Sequence, residues 1–230
     1  MATSLDLQEQ EQIDALKAFW KQYGNLITWV LILALGAFAA WNGWNWWQRD
    51  QGLKAGAMFE ELDRAVAAGD ADKAGRVFSD LKERFPGTAF AQQGGLGAAK
   101  LQFDKGQADA AKATLTWVAG NGPDEDLRSL ARLRLAGLLA QAKQYDEALK
   151  QLDEIKSPPF EALVADRRGD VLQAQDKKDA ARAAYQAAWG AMDDKLDYKR
   201  LVEAKLVALG AAPVAAASAA ASVATSGAGR

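Results

Sequence analysis

Site chemistry begins with a nucleophile, a proton shuttle or a metal ligand, and this chain lacks the commonest of each. Its 230 residues contain no His and no Cys. Ser–His and Cys–His relays are therefore excluded, as are thiolate or imidazole zinc sites and any disulfide framework. Adjacent carboxylates occur at Glu60–Glu61 and Asp193–Asp194, but no nucleophile or base accompanies them, so they read as solvated helix faces. A hydrolase working with carboxylates alone is a known chemistry, and nothing here is spaced for it. No Asp-rich loop resembles a calcium site. Gly94-Gly95-Leu96-Gly97 has the look of a phosphate cradle, yet no strand precedes it and Lys100 stands where a third glycine is needed. Close helix-on-helix packing is the expectation there. Arg168-Gly169-Asp170 spells an adhesion tripeptide inside a predicted helix, where it presents no loop. Net charge is −2 with mixed sign along the chain, so no basic stripe favours nucleic acid. The expected protein is not an enzyme. It needs no metal or cofactor and takes neither a small-molecule substrate nor nucleic acid.

The elements that carry these residues explain more. Residues 22–48 are uncharged, and six of the eight tryptophans lie at or beside the two ends of that run. A helix over Leu26 to Trp47 would be roughly 33 Å long, enough for a hydrocarbon core of about 30 Å. Trp20, Tyr23 and Trp29 mark one end; Trp41, Trp44, Trp46 and Trp47 crowd the other. Indole suits the headgroup level because its body is apolar and its N–H wants a wet partner. Trp29, Trp41, Trp44, Trp46 and Trp47 are thus expected to anchor a single span in the lipid bilayer. Ala37-Phe38-Ala39 offers a small-x-small pattern for signal cleavage, but Asp6, Glu9, Glu11 and Asp14 oppose the positive leader that a signal peptide carries. Lys17 and Lys21 on one flank balance Arg49 and Lys54 on the other, so charge does not orient the span. Gly36, Ala39, Ala40 and Gly43 share one face. That face either admits a neighbouring helix closely or simply meets lipid.

Beyond the span, helical periodicity continues almost everywhere and prolines fall at boundaries. A repeat is visible. Ala74, Ala111, Ala148 and Ala181 follow one another at intervals of 37, 37 and 33 residues. Two positions before each stands Asp72, Asp109, Asp146 or Asp179; four positions after comes Phe78, Leu115, Leu152 or Tyr185. An alanine lets two helices cross closely, and the bulky residue one turn on fills the adjoining groove. The aspartate meets the positive end of the second helix's dipole, and Gly69 and Gly106 sit where the chain reverses. A hairpin of this kind buries its apolar face only by stacking on others. The spacing predicts helices at 51–68 with 71–85, 88–105 with 108–119, 124–142 with 146–156 and 160–175 with 178–192, then a closing helix near 197–209. The fold class is all-α: one N-terminal transmembrane helix followed by a tetratricopeptide-like solenoid. Its parts are a polar tail at 1–21, the span at 22–48, the repeat domain at 49–210 and a disordered Ala/Ser-rich tail at 211–230.

These pieces resemble the YfgM family, the ancillary subunit of the SecYEG translocon. The resemblance is carried by Leu133-Arg134-Leu135-Ala136, Leu152-Asp153-Glu154-Ile155-Lys156, Val164-Ala165-Asp166-Arg167-Arg168-Gly169-Asp170 and Ala181-Arg182-Ala183-Ala184-Tyr185. The leader Glu11-Gln12-Ile13-Asp14-Ala15-Leu16-Lys17-Ala18-Phe19-Trp20 is similar too. The likeness covers roughly residues 8 to 209 and leaves out the tail; the Trp-rich exit of the span departs from the family pattern. It implies a single-pass type II inner-membrane protein with a short cytoplasmic N-terminus and a periplasmic repeat domain. Its implied partners are the SecYEG translocon and a PpiD-like membrane-anchored periplasmic chaperone, to which emerging chains are passed. The resemblance also implies restraint of an envelope stress response. A competing expectation is a repeat scaffold for cell-envelope synthesis or division.

Overall fold

The computed structural model describes residues 7–193 and 197–211. Asp194 and residues 212–230, where the composition predicts disorder, lie outside the described residues. All regular structure among the described residues is helical, as the periodicity predicts: α1 (Leu7–Ala67), α2 (Ala71–Arg84), α3 (Ala89–Asp104), α4 (Ala108–Gly120), α5 (Glu125–Gln141), α6 (Tyr145–Asp153), α7 (Glu161–Ala174), α8 (Lys178–Ala191) and α9 (Asp197–Ala208). A short 3-10 turn, Pro158–Phe160, leads into α7. The chain divides into two units, Met1–Leu53 and Lys54–Arg230, and α1 contributes residues to both.

In the first unit α1 carries the uncharged run. Among the described residues one helix is long and apolar enough to cross a membrane, and α1 is that helix. Its polar side chains turn inward: Thr28 Oγ1 donates to the Gly24 carbonyl at 2.7 Å and Asn42 Nδ2 to the Phe38 carbonyl at 2.9 Å. Bonding back onto the helix satisfies groups that hydrocarbon could not. Helicity also runs past Gly52 and Gly56, where the sequence marks soft points.

In the second unit the end of α1 pairs with α2, then α3 with α4, α5 with α6 and α7 with α8, giving four hairpins closed by α9. Every turn within a hairpin uses one device. The second residue after the first helix takes a left-handed backbone (Gly69, Gly106, Lys143, Asp176), and the next N–H reaches back five residues. These bonds run from Asp70 to Ala65, Gln107 to Gln102, Gln144 to Leu139 and Lys177 to Leu172, at 2.8–3.0 Å. They satisfy carbonyls that a helix end otherwise leaves open. Asp72, Asp109, Asp146 and Asp179 all fall in the first turn of the second helix.

The turn between hairpins 2 and 3 is locked from inside. Gln92, fully buried on α3, donates through Nε2 to the carbonyls of Asn121 (3.0 Å) and Asp124 (2.9 Å) and accepts from the Asp124 N–H at 3.0 Å. Gly122 has a φ of +92° there, and a Cβ on it would collide with the Gln92 side chain. One side chain thus fixes three backbone groups of the turn.

Candidate interaction surfaces

The predicted anchors Trp29, Trp41, Trp44, Trp46 and Trp47 are all exposed along the first unit of α1. So are Leu31, Ile32, Leu33, Leu35 and Phe38 between them. A continuous run of this kind exceeds what a water-facing helix tolerates and marks a surface that needs lipid or protein around it. Gly36 and Gly43 face open space, with no atom within 4 Å of a Cβ built on either, and Ala39 and Ala40 are exposed beside them.

The eight repeat residues sit in the interior of the second unit. Ala74, Ala111, Ala148 and Ala181 have no exposed surface, and Phe78, Leu115, Leu152 and Tyr185 retain at most 3%. Their packing partners follow a rule visible only in three dimensions. Ala99, Ala136 and Gly169 stand twelve residues before Ala111, Ala148 and Ala181. They are buried small residues on the first helix of hairpins 2, 3 and 4. Gly169 is the smallest, and its hairpin carries the largest filler: a Cβ on Gly169 would overlap the Tyr185 ring. The adhesion-like tripeptide is thus centred on a packing contact. Gly94-Gly95-Leu96-Gly97 behaves likewise. A Cβ on Gly94 would press on Leu81 and Leu62 at 3.1 and 3.2 Å, and one on Gly95 would overlap Val118 and Phe78.

Charged residues group in two places that the sequence left unremarked. At the closing end, Asp166 is 1% exposed yet ionisable. Lys205 Nζ on α9 lies 2.7 Å from both Asp166 Oδ1 and Asp170 Oδ1, and the Tyr198 hydroxyl donates to Asp166 Oδ2 at 2.7 Å. The Tyr185 hydroxyl stands 2.9 Å from Asp170 Oδ1 and 2.8 Å from Gln173 Oε1, with the Lys205 ammonium 5.2 Å from its ring centre. Burial, then the bonded Asp170 carboxylate, drives the Tyr185 phenol far above its ordinary range; burial and Asp166 do the same to Tyr198. Both remain neutral donors. No local signal could have shown this cluster, because its bonded residues on α7 and α9 stand 32 to 39 positions apart and meet only through folding.

The second group lines a cleft of about 340 Å³ among α3, α4, α5 and α7, with Lys100, Arg134 and Arg167 around an apolar floor. Of the adjacent carboxylates, Glu60, Glu61 and Asp193 are described, and Asp194 lies outside the described residues. Glu61 pairs with Lys73 at 3.5 Å on the surface, Glu60 is exposed, and Asp193 is exposed at the end of hairpin 4. No group of three or more potential metal ligands occurs among the described residues.

Stacked antiparallel hairpins with an alanine at each crossing and a closing helix, preceded in the chain by an exposed apolar helix, define a tetratricopeptide-like repeat protein with one candidate span. Comparison with known proteins makes the class specific. Residues 17–211 match the tetratricopeptide repeat-like domain family. The chain is 34% identical over 182 residues to the ancillary SecYEG translocon subunit of Escherichia coli (strain K12), covering 78% of this chain and 86% of that protein. It is 31% identical over 204 residues to the protein of the same name from Neisseria gonorrhoeae, covering 88% and 98%. For the Haemophilus influenzae protein of that name the identity is 30% over 182 residues, covering 79% and 89%. The chain belongs to this family of ancillary translocon subunits with a tetratricopeptide repeat-like domain.

Proposed function

We propose that the chain is a non-enzymatic adaptor held in the inner membrane beside the SecYEG translocon, with its repeat domain in the periplasm. The observation that carries this is one helix, α1, bearing a lipid-compatible run and continuing into a repeat stack, in relatives whose name states translocon association. A stack of hairpins is a binding shape, since each presents side chains in register with the next. In this arrangement Trp29, Trp41, Trp44, Trp46 and Trp47 lie at headgroup level, and Gly36, Ala39, Ala40 and Gly43 form the face that meets another membrane helix. Ala74, Phe78, Ala111, Leu115, Ala148, Leu152, Ala181 and Tyr185 keep the stack in shape. The domain receives chains leaving the channel and passes them to a PpiD-like membrane-anchored chaperone; restraint of an envelope stress response would follow from that traffic.

Pull-down of the native protein from solubilised membranes is expected to recover translocon subunits together with such a chaperone. A reporter active only outside the cytoplasm, fused after Gly210, is expected to be active. Recovery of the protein alone, or of wall-synthesis proteins in place of the translocon, would overturn the reading. An inactive reporter would place the domain on the other face.

A further inference from the structure

We infer that the cleft among hairpins 2, 3 and 4 binds an internal segment of a partner polypeptide in which an Asp or Glu stands beside an apolar residue. This rests on the adaptor reading and names what the repeat domain would hold.

The cleft's charge is unbalanced. Lys100, Arg134 and Arg167 line it, and among the described residues no carboxylate does. Lys100 is held by Asp104 at 2.6 Å. Among the described residues Arg167 pairs with Asp170 at 3.5 Å, and Asp170 also takes Lys205 at 2.7 Å. The Nε of Arg167 is shut off from solvent without an acceptor. Arg134 is exposed, and its bond in the structure is to a neutral group, the Leu96 carbonyl, at 3.3 Å. A guanidinium carries five donors in a planar fork suited to a carboxylate. Both guanidinium groups thus line one space that holds no carboxylate of its own among its lining residues.

The floor of that space is apolar. Ala99, Gly137 and Leu138 form it, and Phe103 keeps 39% of its surface in the open at its edge. Water covers a large ring beside three cations poorly, whereas an apolar side chain next to an acid satisfies both halves. That combination separates a polypeptide from a free anion, which would leave the floor wet, and from a purely apolar ligand, which would strand the guanidinium groups.

The cleft also runs on. A second hollow of about 310 Å³ shares Phe103, Leu138 and Gln141 with it and continues past Asp109, Lys112 and Gln144. A hollow that extends beyond the arginines suits a segment that passes through better than a chain end, so the acid is assigned to a side chain within the segment.

The test uses the full chain in detergent micelles. Short random peptides displayed on phage, without free C-termini, are selected on it and on bare micelles. Enriched peptides are expected to pair Asp or Glu with Leu, Ile, Phe or Met. The strongest, made with a blocked C-terminus and a fluorophore, should lose affinity about tenfold or more when its acid becomes the amide, and similarly on Arg134→Glu protein. Its affinity should also fall with salt. No enrichment over micelles, equal binding of the amide peptide, or unchanged binding to Arg134→Glu would each overturn the inference. The amide peptide leaves the protein untouched, so a folding defect cannot imitate the result. The unchanged protein is also expected to recover translocon subunits in the native pull-down. Failed peptide binding with intact recovery sinks the cleft alone; failed recovery with intact peptide binding sinks the adaptor's placement alone.

Discussion

The first three hairpins and the last one solve different problems. Hairpins 1 to 3 share a dry core in which Leu62, Leu81, Leu96, Val118, Leu135 and Leu152 interlock through close-packed alanines. Bonded buried polar side chains there are neutral, as when Thr114 donates to Gln102 at 2.9 Å and Gln92 to the Asp124 carbonyl at 2.9 Å. Val171 of α7 joins that core, while the rest of hairpin 4 and α9 form a second cluster around Ala181, Tyr185, Ala188, Met192, Val202 and Leu206, with Asp166, Asp170, Lys205 and two tyrosine hydroxyls bonded through it. An interior hairpin is oriented by apolar neighbours on both sides. The terminal one has such a neighbour on one side and must end in water. Directional charged bonds orient the closing helix where nonspecific burial could not. The stack is thus mortared at its end by polar bonds and in its middle by shape.

The largest effect should come from breaking that end. Lys205→Met leaves Asp166 buried with Tyr198 as its remaining partner at α9, and an uncompensated buried charge costs about 3–5 kcal/mol. Because repeat stacks open locally, the loss should be confined. Amides of Asp197–Ala208 should lose hydrogen-exchange protection while those of α3 to α5 keep theirs. Uniform loss across the domain would show that middle and end are one cooperative block, and the contrast drawn here would collapse. Asp166→Asn combined with Lys205→Met removes both charges and should be milder than the single change.

A smaller effect tests the shape rule inside hairpin 4. Gly169→Ala pushes a Cβ into the Tyr185 ring and should cost about 1–3 kcal/mol in thermal or urea unfolding. Adding Tyr185→Leu recreates the Ala136–Leu152 pairing of hairpin 3 and should recover most of it. A double change whose cost is the sum of the two singles would mean that these residues do not share one space.

How much of this was legible beforehand follows from where the information lies. The hairpins show in the sequence because alanine, aspartate and bulky filler recur at fixed offsets within about two helical turns, so each repeat carries its own signal. The span shows for the same reason, as a local run with tryptophan ends. The sequence leaves open whether the first helix continues past the span, since Gly52 and Gly56 are soft points that each cost a helix about 1 kcal/mol. Tertiary packing outweighs that: Ala55 is fully buried, Phe59 packs on Phe90 with ring centres 5.7 Å apart, and a Cβ at Gly56 would just touch the Phe90 ring. Asp166–Lys205 and Arg134–Arg167 were hidden because each pair is joined only by stacking, 39 and 33 residues apart.

The smallest expected effect lies in the turns and compares the hairpins one by one. Hairpins 1 and 2 place glycine at the left-handed position, with φ of +70° at Gly69 and +77° at Gly106. Hairpins 3 and 4 hold Lys143 at +60° and Asp176 at +59° in the same geometry. A Cβ in that region costs roughly 1 kcal/mol, and less for aspartate, whose short side chain tolerates it. Lys143→Gly should therefore stabilise the protein by about 0.5–1 kcal/mol, seen as a higher urea midpoint with unchanged slope. Asp176→Gly should gain less, partly because it removes the exposed ion pair with Lys178 at 3.4 Å. Gly69→Ala should destabilise by a similar amount, since Lys105 leaves room for the methyl and only the backbone objects. The reverse order, with aspartate gaining more than lysine, would mean that the turn's neighbours set its energy, and the four turns would no longer count as copies of one device.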